Sequence, residues 1–208
     1  MTSITIKNDS RKIIIAVLEK AQWDASAMTA TQVTSLQNFR DLFGSEVLAP
    51  GQQVGGESLS ILFSDLKEST PIYDLVGDAK AYGMVRKHFD FMFEVIKNNQ
   101  SAVVKTIGDA VMAVFCAPEN AVSATLEIQT QVDEFNREHQ IAHPIVIKIG
   151  VHHGPAIAVN SNDRLDYFGR TVNIAARIQP QSVSGDVVLT ADHICRTRRP
   201  GSPQQVSF

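Results

Sequence analysis

Cysteine is scarce in this chain: Cys116 and Cys195 are the only two in 208 residues. They lie far apart and fit no zinc or dithiol spacing, which excludes a disulfide-stapled scaffold and a cysteine metal centre. Both read as reduced thiols of a cytosolic protein, Cys116 as a core residue. Long apolar runs are missing too. Ile13-Ile14-Ile15-Ala16-Val17-Leu18 is apolar but too short to span a bilayer, and the N-terminus has no signal-peptide pattern. The expected location is therefore cytoplasmic, with no membrane span. Positive charge is not in excess: 19 Lys and Arg against 22 Asp and Glu give a net charge of −3. That balance offers no electrostatic footprint for a nucleic-acid partner. There is no internal repeat, no low-complexity tract, and no Ser-His-Asp or Cys-His arrangement. His152 and His153 are no metal pair, because consecutive strand residues face opposite ways. His139 and His143 have i, i+4 spacing, but Pro144 predicts a loop there.

What is present is ordinary globular material, 44% hydrophobic and 20% charged. The length suits one domain with an appendage and a real core. Residues 1–25 read as a hairpin remnant of an N-terminal region. A lone hairpin is marginal in water, so it needs something to pack on, with Trp23 as an anchor. Residues 26–56 read as a connector. A helix is predicted over 29–43 from the spacing of Val33, Leu36, Phe39 or Arg40, and Phe43, with Thr29 or Thr31 as cap. A linker is predicted over 49–56.

The main domain is expected from Glu57 to about residue 195. A strand over 59–64 ends at Asp65, and a short helix runs from Pro71 to Gly77. A longer helix follows over 78–98, capped by Asp78, with Tyr82, Val85, Phe89, Met92, Phe93 and Ile96 inward. Strands 103–107 and 110–115 form a hairpin around Gly108-Asp109. A helix opened by Pro118 turns Ala121, Val122, Leu126, Ile128 or Gln129, Val132 and Phe135 inward. A strand over 145–151, a turn at His153-Gly154-Pro155 and a returning strand over 156–159 come next. A loop over 160–164, a helix over 171–179 and a strand over 186–190 complete it. Residues 196–208 form a Pro/Gly/Arg tail, its arginines a solvated cluster. The order is β-α-β-β-α-β with an added strand, helix and strand: an α+β, ferredoxin-like core, its largely antiparallel sheet covered by helices on one face.

Some polar residues sit oddly in this frame. Lys105 interrupts an apolar strand and Asp109 puts a carboxylate at the hairpin turn. On that stretch alone an edge-strand lysine and a turn-favouring aspartate are the better account. In a βαββαβ sheet, however, the first and third strands are neighbours, so Asp65 and Asp109 can lie side by side. Adjacent carboxylates repel unless a cation neutralises them, and hard divalent cations prefer such ligands. The plain alternative is two unrelated, solvent-facing aspartates. Asn173 and Arg177, at i and i+4, share one face of a helix that is otherwise apolar or small. Either they are aimed at a ligand, or they are a satisfied surface Arg and a hydrogen-bonding core Asn, which is the better account of this helix alone.

Three stretches together carry a resemblance. They are Ile61-Leu62-Phe63-Ser64-Asp65-Leu66-Lys67-Glu68-Ser69-Thr70, then Lys105-Thr106-Ile107-Gly108-Asp109, then Asp166 through Arg177. In order and internal spacing they resemble the signature set of class III nucleotidyl cyclases of the bacterial, homodimeric type, from about residue 59 to 190. The resemblance implies the family's catalytic fold and an adenylyl cyclase, converting ATP to 3′,5′-cyclic AMP and pyrophosphate. It implies two divalent cations, Mg²⁺ or Mn²⁺, held by Asp65, Asp109 and the carbonyl of Leu66, one acidifying the ribose 3′-hydroxyl and one holding the triphosphate. It implies a phosphate loop at Leu66, Lys67, Glu68, Ser69 and Thr70. Asn173 matches the ribose-orienting residue and Arg177 the one that stabilises charge on the α-phosphate. Lys105 and Asp166 match the base-selecting pair, and the chemistry agrees. Adenine N1 accepts from a lysine and its 6-amino group donates to an aspartate; guanine presents the reverse. In the family the metal aspartates come from one subunit and the remaining residues from the other, which implies a homodimer with two composite sites. Residues 23–51 resemble the segment before the cyclase domain in members with an N-terminal regulatory region. Two departures stand out. Glu68 occupies a position where the family usually has Gly, and residues 182–208 show no clear equivalent of its final lysine-bearing hairpin. These departures motivate two rival expectations, a catalytically silent dimerisation module and a cyclase of relaxed purine choice. The Gly-Gly-(Asp/Glu)-Glu-Phe signature of diguanylate cyclases is absent.

Overall fold

The structure, a computed structural model, describes residues 9, 27–44, 48–49, 52–69, 71, 74, 77–139, 144–183 and 185–191. The expected hairpin over 1–25, most of the short helix before Gly77, Thr70, Cys195 and the tail lie outside the described residues.

Strand β1 (Gln53–Leu66) is the centre of the sheet. It pairs antiparallel with β3 (Ala110–Phe115) on one side and with β4 (Ile147–Ser161) on the other. Beyond them lie β2 (Ala102–Ile107) and β5 (Arg164–Phe168), giving the order β2-β3-β1-β4-β5, while the short β6 (Val187–Leu189) pairs parallel with β4. The first and third strands are therefore neighbours, as the βαββαβ reading requires. Alternation along β1 and β3 sends side chains to two cores. Leu62, Leu66, Val111, Ala113 and Phe115 meet Met92 and Ile96 of helix α3 (Asp78–Asn98) and Ile128 and Phe135 of α4 (Pro118–Glu138). Leu59, Ile61, Met112 and Val114 meet Leu165, Tyr167 and Ala175, the last on α5 (Arg170–Ile178). Full burial of one such Leu or Ile contributes about 2 kcal/mol. Helices thus cover both faces of the sheet, not one. The second face was hidden in the sequence because α5 buries little beyond Thr171 and Ala175.

Several expectations are corrected. The connector is two helices, α1 (Ala30–Thr34) and α2 (Gln37–Phe43), not one. Thr29 caps α1 in a capping box with Gln32, as expected of a threonine there. The helix ends with Ser35 as its C-cap, where the Thr34 carbonyl receives the Tyr167 hydroxyl at 3.1 Å and the Ser35 hydroxyl meets Cys116 Sγ at 2.8 Å. Strand β1 starts at Gln53, so part of the expected linker is sheet. Gly55 is needed there, since a Cβ would sit 2.6 Å from Ile157 Cγ2.

Strand β4 runs unbroken through His153-Gly154-Pro155. Pro155 is tolerated because it faces Ser58, where the register with β1 slips. The reversal comes later, at Asn162-Asp163, both left-handed with φ of 53° and 58°. Asp166 consequently stands on a strand. On α3, Gly77 and not Asp78 is the N-cap, and Asp78 lies in the first turn, where its charge favours the helix dipole. The buried stripe is Ala81, Val85, His88, Met92, Val95 and Ile96, which leaves Tyr82 67% and Phe93 36% exposed. On α4, Leu126 faces outward while Ala124 and Thr125 are buried. His152 Nδ1 lies 2.8 Å from the Thr190 hydroxyl, and His153 Nδ1 lies 3.0 Å from the Ser60 hydroxyl.

Candidate active site

Asp65 is the penultimate residue of β1, and Asp109 follows Gly108 in the two-residue turn between β2 and β3. Gly108 has φ of 63°, which a glycine adopts freely. Because Ser64 pairs with Val111, the turn lies beside the end of β1. Burial, and then the neighbouring Asp109, hold the Asp65 carboxyl above the usual carboxylate range, while Lys148 and the Leu66 N–H pull the other way. Lys148 faces Asp65 across the β1–β4 ladder. Asp109 Oδ2 is buried and has no hydrogen-bond partner among the described residues. A buried carboxylate oxygen without a donor is costly, and a second carboxylate beside it adds repulsion. A divalent cation removes both penalties, so these residues fit one. Two side-chain carboxylates with a main-chain carbonyl form no cluster of three ionisable ligands, and among the described residues no such cluster exists.

Leu66 closes β1, and the Lys67 N–H donates to Val146 O at 2.9 Å, which fixes how the chain leaves the sheet. Glu68 comes next with φ of 54°. The position where the resemblance places Gly therefore keeps a backbone that glycine favours, carried here by a glutamate. Beneath the carboxylates lies His88 of α3, which the sequence reading passed over. It is fully buried, and neither ring nitrogen has a hydrogen-bond partner among the described residues. Burial pushes its pKa down to about 4, against the charge and main chain of Asp109. The signal was its place in the stripe, three residues after Val85 and four before Met92.

Lys105 on β2 and Asp166 on β5 belong to strands at opposite ends of the sheet order. The sheet curls so that β2 approaches β5, and Lys105 Nζ reaches Asp166 Oδ2 at 2.6 Å. Asp166 Oδ1 accepts from the Tyr167 N–H at 2.8 Å, so both carboxylate oxygens are engaged. Tyr167 in turn lies under the Arg40 guanidinium, 5.7 Å from its carbon to the ring centre. Arg40, Thr34 and Tyr167 were not singled out in the sequence as site residues, because their partners come from distant segments.

Helix α5 carries Asn173 and Arg177. Its start is fixed by the Thr171 hydroxyl, which donates to Pro155 O at 2.6 Å, and by Gly169, whose φ of 136° suits only glycine. The helix packs so close that a Cβ on Gly154 would lie 2.8 Å from Thr171 Oγ1. Asn173 and Arg177 are exposed on one face, and Arg177 has no ion-pair partner among the described residues. The structure thus brings the site residues together in pairs: Asp65 with Asp109, Lys105 with Asp166, Asn173 with Arg177. Among the described residues no ion pair or side-chain hydrogen bond joins one pair to another.

Residues 52–202 match the family model for the adenylate and guanylate cyclase catalytic domain. An adenylate cyclase of Lachancea kluyveri is 28% identical over 155 residues, 65% of this chain and 8% of the relative. Adenylate cyclase 1 of Rhizobium meliloti is 25% identical over 142 residues, 62% of this chain and 21% of the relative. A receptor-type guanylate cyclase of Caenorhabditis elegans, gcy-13, is 28% identical over 162 residues, 71% of this chain and 16% of the relative. The chain therefore spans less than a quarter of the length of each, 8%, 21% and 16%. Among solved structures, a monomeric double mutant of the guanylyl cyclase domain of the RhoGC fusion protein from Blastocladiella emersonii superposes with a TM-score of 0.65 at 26% identity, covering 69% of this chain and 85% of that one. The adenylyl cyclase CyaB from P. aeruginosa shares the fold, with a TM-score of 0.62 at 21% identity over 69% of this chain and 81% of that one. The match across residues 52–202 and the shared curled sheet lead to one conclusion: this chain belongs to the class III nucleotidyl cyclases, the adenylate and guanylate cyclase catalytic domain family.

Proposed function

We propose that this domain is an adenylyl cyclase, converting ATP to 3′,5′-cyclic AMP and pyrophosphate at a site built from two copies of the chain. The observation that carries the choice of ATP is the Lys105–Asp166 pair, assembled at 2.6 Å from strands at opposite ends of the sheet. Lys105 donates to adenine N1 and Asp166 accepts from the 6-amino group. Guanine offers N1–H to the ammonium and O6 to the carboxylate, so both contacts mismatch. Asp65 and Asp109, with the Leu66 carbonyl, hold two divalent cations, Mg²⁺ or Mn²⁺; when bound, these supply Lewis acidity for the 3′-hydroxyl and charge neutralisation for the triphosphate. The orphaned Asp109 Oδ2 and the raised Asp65 pKa support that role.

The phosphate loop assigned to Leu66, Lys67, Glu68, Ser69 and Thr70 would offer main-chain amides to the phosphates. Asn173 orients the ribose. Arg177 offsets the charge that develops on the α-phosphate, a role in which losing one donor typically costs about 10²- to 10³-fold in rate. The ribose 3′-oxygen forms the new bond to the α-phosphorus, the α–β P–O bond breaks, pyrophosphate leaves, and the hydroxyl proton passes to solvent. Two features support a second copy: the exposed Asn173–Arg177 face, and the apolar Ile107 and Phe168, 52% and 64% exposed near the hairpin and β5.

The test gives the purified protein ATP or GTP with Mg²⁺ or Mn²⁺ and measures both cyclic nucleotides. Cyclic AMP in excess is expected. No product with any metal and nucleotide sinks the enzyme reading in favour of a silent dimerisation module. Equal rates with both purines sink the adenine assignment alone. Mixing Asp65→Ala with Arg177→Ala, each inactive alone, should restore partial activity, because one site of the heterodimer keeps every residue.

A further inference from the structure

Asp166 is held on both sides by a segment outside the family match. Arg40 lies on α2, before residue 52, where the match begins. Its Nη2 donates to the carbonyl of Leu165, the residue before Asp166. Its guanidinium covers the ring of Tyr167, the residue after. Nη1 turns back to the Thr34 carbonyl at 3.4 Å, and the Tyr167 hydroxyl donates to that same carbonyl at 3.1 Å. The Leu165 N–H donates to Gly44 O, just past α2, at 3.0 Å. Tyr167 then passes the constraint on, since its N–H holds Asp166 Oδ1. The same segment reaches the other half of the pair. Gln37 Oε1 accepts from the Val103 N–H at 2.8 Å, at the irregularity in β2 that precedes Lys105.

Arg40 is an expensive way to make these contacts. Burial pushes its pKa below the ordinary arginine value, against the pull of Tyr167 and Asp166. Its acceptors are main-chain carbonyls, and among the described residues it has no carboxylate within ion-pair distance. A planar fork that donates to two carbonyls and stacks on a ring fixes direction as well as distance, which a lysine or an apolar side chain does not.

We propose that Arg40 is a positioning residue for Asp166, and that the α1–α2 segment thereby sets the purine choice of the site it is docked on. This rests on the reading of Lys105 and Asp166 as the adenine-recognising pair. A loosened β5 lets the carboxylate rotate from the 6-amino group, while the Asp65–Asp109 pair, elsewhere on the sheet, is untouched.

The experiment compares kcat/KM for ATP and GTP in Arg40→Gln, Arg40→Lys and Tyr167→Phe. Arg40→Gln should lower the ATP-to-GTP ratio about tenfold, mainly through a higher KM for ATP, the scale expected when one buried polar contact is misaligned. Arg40→Lys should recover only part of it. Tyr167→Phe keeps the ring but loses the bond to Thr34, and should lower the ratio about threefold, guarding against an Arg40 variant that does not fold. Amide hydrogen exchange reads the same positioning without turnover. Leu165 and Tyr167 should exchange about tenfold faster in Arg40→Gln, with β1 and β3 amides unchanged. Equal loss with both purines and a uniform rise in exchange overturns the proposal, because that is the signature of general destabilisation. An unchanged ratio with unchanged exchange overturns it too. If the parent protein makes no cyclic AMP or shows no purine preference, the adenine reading fails, and the exchange pattern alone decides whether Arg40 positions Asp166.

Discussion

Replacing Glu68 with glycine should make the protein both more stable and better at holding its nucleotide. Glu68 has φ of 54°, in the left-handed region. An L-residue there loses about 1–2 kcal/mol to the clash of Cβ with the following carbonyl. Glycine escapes that clash but forfeits about 0.5–1 kcal/mol of chain entropy on folding. The net gain is about 0.5–1 kcal/mol, which in a chain of this size raises Tm by about 1–4 °C. The second effect is electrostatic. Glu68 is exposed, at the middle of the loop assigned to the triphosphate. A unit charge about 8 Å from another in water is worth about 0.5 kcal/mol, so removing it should lower the KM for nucleotide about twofold. That gain should shrink in high salt. Glu68→Gln separates the two causes, since it removes the charge and keeps the backbone cost: KM should fall with Tm unchanged. Thermal denaturation and initial-rate kinetics on the three proteins are sufficient. A lower Tm for Glu68→Gly refutes the backbone argument. An unchanged KM in both variants refutes the charge argument and places the carboxylate away from the phosphates.

Two further outcomes follow from the buried ionisable groups. Asp65 has its folded pKa raised above the ordinary 3.8, so without metal the folded protein loses stability as pH rises from 3.8 through the shifted value. Asp109→Asn should lessen that loss while burial keeps part of it, and Mg²⁺ should raise the Tm of the parent but not of this variant, both visible in melting curves across pH. His88 behaves oppositely. Its pKa is lowered from 6.5 to about 4, so the stability it permits is present above 6.5 and is lost as pH falls toward 4. The limiting slope is about 1.4 kcal/mol per pH unit. His88→Leu should remove that acid sensitivity in urea titrations at pH 7 and pH 5; an unchanged pH dependence would show that His88 is not the group responsible.

The strands from β1 to the start of β4 were legible in the sequence because alternation and turn chemistry are local, whereas β5 was not foreseen. Gly108-Asp109 between two β-branched runs read as a hairpin, and it is one. Local signals failed where a distant contact overrode them. Gly154-Pro155 looks like a turn, yet β4 continues, because the register slip opposite Ser58 leaves room for a proline. Thr29 to Phe43 looks like one helix, yet Tyr167 takes the Thr34 carbonyl that its middle would use. On α3 the large aromatics Tyr82 and Phe93 drew attention from Ala81 and His88, which hold the inner positions. Among the candidate site residues, those in contiguous signatures could be named from the sequence, and the sheet brings Asp65 beside Asp109 and Lys105 onto Asp166. Arg40 and Tyr167 were not, since nothing near Arg40 in the sequence announces a partner 125 positions away.

The contact between Lys105 and Asp166 also sets a cost for the proposed ligand. The two charges satisfy each other, so on the proposed reading a base reaches either side chain only by interrupting that bond. On that reading adenine replaces the bond with two of matching sense, whereas guanine would leave an ammonium facing a donor and a carboxylate facing an acceptor. Discrimination on this account lies less in how well the right base is held than in how badly the wrong one compensates for the bond it interrupts. The same bond joins strands from the two ends of the sheet, so a base that interrupts it would at once loosen the fold's own seam.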